Sequence, residues 1–278
     1  MHFTHLHLAS GYSFKYGTSS PEEIVARAVA LGMNSIALTD RDTLAGAIKF
    51  AISCKTNSIA PIIGVDVEYE SKTRVTLLAT PGNWRSLVRL VTAIKKSGIA
   101  TQQIFEENNE YAKDILALFG PNSEISKSIA LHREDEALTI FNKTRDIFKS
   151  QAIECVSHLE KSGPKSTAHA ARMLGFARFN EIPAVLTNAV RMRERVDAPI
   201  SDILDASRNL LPLHKNVIER KNAEAFLKSS EEMFQLAEVI ARAAGDRDGR
   251  KLIRTTDEWA QSAQLSPSDD IGVGAIRL

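Results

Sequence analysis

Short apolar runs rich in Val, Ile and Leu recur through residues 1–192, and amphipathic stretches separate them. Seven of these runs have the length and β-branched content of strands: FTHLHL (3–8), SIALTD (35–40), APIIGVDVEY (60–69), RVTLLAT (74–80), ILALFG (115–120), QAIECVSHL (151–159) and IPAVLTNAV (182–190). The segment SSPEEIVARAVALG carries a full set of helix signals. Ser20 is placed as N-cap, Pro21 at the first helical position, Glu23 as the partner in a capping box and Gly32 past the last turn. Ile24, Val25, Ala28 and Leu31 then share one face. Residues 42–57, 83–98, 134–150 and 166–180 have the same character. Strand–helix alternation predicts a parallel α/β architecture, and seven strands predict a closed or nearly closed barrel.

The pattern changes at residue 193. SDILDASRNLL, SSEEMFQLAEVIARAAG and TTDEWAQSAQ are helical and polar, so residues 193–278 are expected to form a helical appendix to a barrel over 1–192. Ser230, ahead of Glu231 and Glu232, is expected to cap the second of these helices and Gly245 to end it. The closing SPSDDIGVGAIRL is apolar and glycine-punctuated, as a segment leading into a further domain would be.

Composition narrows the function classes. A hydrophobic fraction of 44% and a charged fraction of 25% over 278 residues allow a sizeable core. A net charge of +1 gives no overall attraction to nucleic acid, so any such surface is local. No apolar run approaches the ~18 residues of a membrane span, and no signal-peptide pattern precedes the first strand. Cys54 and Cys155 are far apart and in no metal-type spacing, as expected of buried, reduced thiols in a cytoplasmic protein.

Candidate chemistry lies where strands end, because barrels place their reactive groups at that rim. His5 and His7, two apart in a strand, share a face and look like half of a metal site, with Ala9 where a third imidazole would continue the series. The other strand ends supply Ser10, Tyr12, Asp40, Arg41, Asp42, Asp66, Glu68, Arg74, His158, Asn188, Ala189 and Arg191. Asp42, just before TLAGAIKF, also suits a helix N-cap. Metal sites draw on imidazole and carboxylate, whereas arginine is permanently charged and repels a cation. His2, His132, His169 and His214 fall away from the strand ends and carry no assigned role.

The ordered series HLH, YSF, SSPEE, ALG, Thr39-Asp40-x-Asp42, GA-x-x-F, PIIG, VTLLA, WRSLVRLV, LALFGP and IPAVLTNAV resembles the PHP (polymerase and histidinol phosphatase) domain of bacterial C-family DNA polymerases, the DNA polymerase III alpha subunit and its error-prone relatives. The resemblance implies a distorted seven-stranded (β/α) TIM-like barrel, which in active members carries a trinuclear metal cluster that hydrolyses phosphoesters. Carried over residue by residue, His7 and His158 keep their ligand type and Asp66 replaces a glutamate. The remaining six of nine ligand positions fall on Ala9, Tyr16, Arg41, Arg74, Ala189 and Arg191.

The expected protein is therefore a degenerate, metal-free PHP domain with no cofactor, a non-catalytic scaffold in DNA replication or translesion synthesis. The resemblance implies as partners a polymerase core, in the same or a separate chain, with DNA and other replisome or repair subunits, and no membrane. Polymerisation is not expected of these residues alone. One alternative is a phosphatase or 3′–5′ exonuclease with a reduced Zn, Mn or Fe site of His7, Asp66, His158 and Asp40; another is an independent interaction module. Two readings of Arg41, Arg74 and Arg191 stay open: an ion network with Asp40 and Asp66, or a phosphate pocket.

Overall fold

The computed structural model describes residues 2–69, 72–97, 101–213 and 220–274. His214 and the last residues of IGVGAIRL, 275–278, lie outside them. Among the described residues six strands form one curled mixed sheet, a half-barrel in sequence order: β1 (Ser35–Arg41), β2 (Ala60–Glu68), β3 (Arg74–Leu78), β4 (Leu116–Phe119), β5 (Ser150–Val156) and β6 (Ala184–Thr187). The pairs β1–β2, β4–β5 and β5–β6 are parallel, while β3 runs antiparallel to both β2 and β4. The sheet is thus not uniformly parallel, as the alternation suggested. The short link from Glu68 to Arg74 explains the first reversal, since a parallel return needs a crossover of a dozen or more residues. The reversal puts the first residue of β3 at the rim where the parallel strands end.

The seventh predicted strand is not formed. Residues 3–8 make one isolated bridge, Leu8 with Val190. The His5 and Leu8 carbonyls accept from Ala37 and Thr39 of β1, and the His7 carbonyl accepts from Val190. The segment thus lies along the gap between β1 and the chain beyond β6. Its ladder is interrupted because the Leu8 amide donates to the Thr39 hydroxyl at 2.8 Å instead of to a carbonyl.

The helices are α1 (Pro21–Ala30), α2 (Ala47–Thr56), α3 (Trp84–Ser97), α4 (Thr101–Glu107), α5 (Asn109–Ala112), α6 (Glu124–Ala130), α7 (Glu134–Thr144), α8 (Thr167–Phe179), α9 (Ala198–Arg208), α10 (Ser230–Ala243) and α11 (Arg250–Ser262). The Ser20–Glu23 capping box of α1 is present in both directions, and Gly32 takes a φ of +68°. Three short helices, α4 to α6, were not legible as helices. The cap of α10 is Ser229, one residue earlier than expected, in a capping box with Glu232. Asp42 caps nothing, because α2 begins only at Ala47.

One large apolar cluster fills the space between the outer face of the sheet and the helices. A second, inside the curl, joins Leu6, Ala37, Ile62, Leu78, Leu118, Ala152 and Val185 to Ala260 and Ala263 at the end of α11. The alanines let α11 approach the sheet closely and cover the apolar end of its concave side. Thr256 fixes this docking, because its hydroxyl accepts from the Leu186 amide at 2.8 Å and donates to the Leu252 carbonyl at 2.7 Å. Past the helix, the Leu265 amide donates to Pro61 of β2 at 2.9 Å.

Thr256→Val keeps the shape but leaves the buried Leu186 amide without an acceptor. It is expected to lower unfolding free energy by about 1–3 kcal/mol, read as a lower urea midpoint with an unchanged far-UV spectrum.

Candidate functional site, a rim of paired charges

Side chains on one face of a strand recur every second residue, and here each inward-facing series changes from apolar to polar toward one end. The series are Ala37-Thr39-Arg41, Ile62-Gly64-Asp66, Ala152-Glu154 and Val185-Thr187, with Leu78-Thr76-Arg74 running in reverse on antiparallel β3. The polar ends form the rim. Register places Arg41 beside Asp66 and Asp66 beside Thr76.

Asp66, 2% exposed, is held by two guanidinium groups. Arg74 donates Nε to Asp66 Oδ2 at 2.8 Å and Nη2 to the Asp66 carbonyl at 2.6 Å, and reaches Asp42 Oδ2 at 3.1 Å. Arg41 brings its Nε to 3.3 Å from the same Asp66 oxygen. Burial works against the charge on Arg74, but Asp66 and Asp42 more than offset it, and its pKa is raised. Asp42 takes a φ of +54° and also accepts the Glu68 amide at 3.0 Å, so it ties the β1 end to β2.

His7 faces the same space. Its Nδ1 is 2.7 Å from Glu154 Oε1 and 3.3 Å from the Thr76 hydroxyl, and its Nε2 is 4.0 Å from Asp66 Oδ2. Burial alone would depress the imidazole, but the Glu154 carboxylate and then Asp66 reverse this and raise its pKa. Glu154 also accepts from the Thr187 hydroxyl. Its carboxylate occupies the space where a side chain at Gly120 would stand, 1.9 Å from an added Cβ. Glu154 was missed in the sequence; the only signal was one carboxylate within the apolar run AIECV.

A second layer of charge lies over the first. The Tyr16 ring meets two guanidinium groups, Arg41 at 3.4 Å from its centroid and Arg191 at 4.2 Å. Burial would raise the Tyr16 phenol, but Arg41, Lys165 and Arg191 outweigh it and bring the pKa down to about 8. Arg191 forms a two-pronged pair with Asp205 of α9, at 2.8 and 3.0 Å, and donates to the Tyr16 carbonyl at 3.1 Å. Arg208 reaches the same carboxylate at 2.8 Å. The buried face of α9 is polar, with Ser201, Asp202 and Asp205, while Ile200 and Ile203 point outward. This inversion hid Asp205 from an apolar-periodicity reading.

Other expected site residues go elsewhere. Asp40 accepts from Ser10 Oγ at 2.8 Å, the Ser10 amide at 2.6 Å and Ser13 Oγ at 2.7 Å rather than from an arginine, and burial raises its pKa. His158 donates Nε2–H to the Asn188 carbonyl at 2.8 Å, and burial with Lys165 nearby pushes its pKa down to about 3. His5 bonds the Lys228 carbonyl at 2.9 Å and is lowered to about 4, chiefly by burial. Ala9 makes only a backbone bond, to Val190, and Ala189 borders a cavity of about 10 Å³ beside His7, Asp66 and Arg74. That volume is about what one water needs. Among the described residues, no three His, Cys, Asp or Glu side chains are grouped as metal ligands.

Comparison with known proteins places this geometry in a family. The PHP domain matches residues 5–158, more than half of the chain, and the protein belongs to that family. It is 29% identical over 255 residues to the DNA polymerase III subunit alpha of Buchnera aphidicola subsp. Acyrthosiphon pisum, covering 87% of this chain and 22% of that protein. It is 28% identical over 256 residues to the error-prone DNA polymerase of Symbiobacterium thermophilum, covering 84% of this chain and 23% of that one. The chain therefore spans less than a quarter of the length of these relatives. Among solved structures it is similar to a two-domain protein from Bacteroides vulgatus containing a predicted PHP-like metal-dependent phosphoesterase, at 12% identity and a TM-score of 0.47, covering 84% of this chain and 62% of that one. No helix among the described residues is long and apolar enough to cross a membrane.

Arg191→Ala strips Asp205 of its main partner, leaving Arg208. The expected loss is about 3 kcal/mol, the lower end for breaking a buried pair, measured by urea unfolding. His5 and His158 have folded pKa values far below their unfolded value of 6.5, so the stability they contribute is present above pH 6.5 and lost as pH falls toward 4. Unfolding midpoints are expected to drop on acidification through that window, with a shallower slope in His158→Asn.

Proposed function

We propose that this chain is a metal-free PHP domain that acts as a structural scaffold for the polymerase core of a C-family DNA polymerase, in replication or translesion synthesis. The polymerase core, in the same or a separate chain, is its partner, with DNA and other replisome or repair subunits beyond it. The observation that carries the reading is the occupation of Asp66 by Arg41 and Arg74. The residues present do not fit the cation cluster of active family members. The carboxylate that would face a metal is taken by two guanidinium groups, His7 is taken by Glu154, and the His158 Nε2 proton goes to a backbone carbonyl. Arginine cannot ligate a cation and opposes its approach. The alpha-subunit and error-prone relatives support the polymerase context.

Protein purified without chelator and then dialysed is expected to hold Zn, Mn and Fe far below one per chain and to leave a generic phosphomonoester intact. It is also expected to raise the Tm of a C-family polymerase core supplied without its own PHP domain. Near-stoichiometric retained metal together with hydrolysis overturns the metal-free reading, and an unchanged Tm overturns the scaffold role.

A further inference from the structure

Helices α10 and α11 are joined by residues 244–249 and pack on each other as a hairpin. They are closest at Gly249, where an added Cβ would stand 2.6 Å from the Ala237 main chain. The Gly249 amide donates to Glu238 Oε1 there, at 2.9 Å. Beyond this closed end the helices leave an open groove of about 860 Å³ between them. Phe234 and Ile253 form its floor. Each lies four residues past the Glu238–Gly249 contact, about one turn along its helix. Ile253 is buried in the main core, and half-buried Phe234 packs against that core's edge.

Charge divides the groove lengthwise. The α10 wall carries Glu231 and Glu238, and the α11 wall carries Arg250, Lys251 and Arg254. Their contacts within the chain include loose, exposed ones: Arg250 with Asp248 at 3.6 Å, Arg254 with Glu258 at 3.7 Å and Glu238 with Arg242 at 3.8 Å. Gln235 also donates to Glu231 at 3.4 Å. Exposed pairs of this kind contribute little, so the long side chains are free to reorient toward a charged surface.

A face with one acidic and one basic wall is complementary to itself. Two twofold arrangements set such faces together. An axis lying across the helices puts α10 over α10 and opposes like charges. An axis running along them puts α10 over the partner's α11 and preserves height along the hairpin. Glu238 then faces the partner's Arg250, and Glu231 faces the partner's Arg254, with each contact made twice. Phe234 and Ile253 from both copies meet in the middle, as an apolar centre inside a charged rim.

We propose that this groove is the interface of a symmetric dimer of the chain, with α10 of each copy laid over α11 of the other. The pairing involves none of the residues of the arginine rim.

Sedimentation equilibrium of the 278-residue chain at pH 7.5 and low salt tests the pairing. The chain is expected to show a reversible monomer–dimer equilibrium in the micromolar range, as a small interface does. Arg254→Glu and Glu231→Lys each oppose like charges at both copies of one contact. Each is expected to weaken the dimer roughly tenfold and to keep a near-wild-type Tm, because both side chains are exposed. Mixed together, the two variants are expected to form a heterodimer of near-wild-type affinity, since opposite charges meet again at both contacts. A chain that stays monomeric throughout the micromolar range overturns the proposal and leaves the groove to another occupant. A dimer that both variants leave intact, or a mixture that does not recover pairing, overturns it as well.

Discussion

Buried carboxylates converge where the strands of this half-barrel end, and each must be compensated for the fold to stand. Asp66, Glu154 and Asp205 are almost fully removed from water, where an uncompensated charge is severely unfavourable. Side chains supply the compensation: Arg41 and Arg74 on Asp66, His7 and Thr187 on Glu154, Arg191 and Arg208 on Asp205. Ion pairs of this kind add little net stability compared with an apolar replacement, but losing one partner is strongly destabilising. The rim is therefore a locked arrangement in which every member depends on another.

That dependence explains why the helical region after residue 193 is packed into the barrel at both ends. At the polar end α9 presents Ser201, Asp202 and Asp205 to the arginines, against the usual direction of an amphipathic helix. At the apolar end α11 inserts Ala260 and Ala263 against the inward-facing strand residues and gives the Leu186 amide an acceptor. Residues 3–9 lie along the open side between β1 and the chain after β6. A half-barrel of six strands is stable here because segments that are not strands cover its two ends and its gap.

Much of this was legible locally. The capping box at Ser20 and Glu23, the later six strand runs and the major helices follow from side-chain periodicity and cap chemistry, which act within a few residues. That Tyr16, Arg41, Arg74 and Arg191 stand at or beside the strand ends was equally plain, since it is a matter of residue identity. What was not legible depended on distant partners. Residues 3–8 look like a strand, yet a threonine hydroxyl thirty-one positions away takes the Leu8 amide. Asp42 looks like a cap, yet it closes the β1–β2 end against Arg74. Asp40 was expected to answer an arginine and instead accepts from Ser10 and Ser13.

The sequence by itself determined that an α/β chain carries Arg41, Arg74 and Arg191 at its strand ends, because residue type and strand alternation are local properties. Only the tertiary structure decided which carboxylate each arginine meets. Glu154 and Asp205 gave almost no local signal, one hidden in an apolar run and the other on the buried polar face of a helix. Charge pairing acts through space across a low-dielectric interior, so partners separated by 14 or by 147 positions are chosen by the packing of whole elements and not by any spacing along the chain.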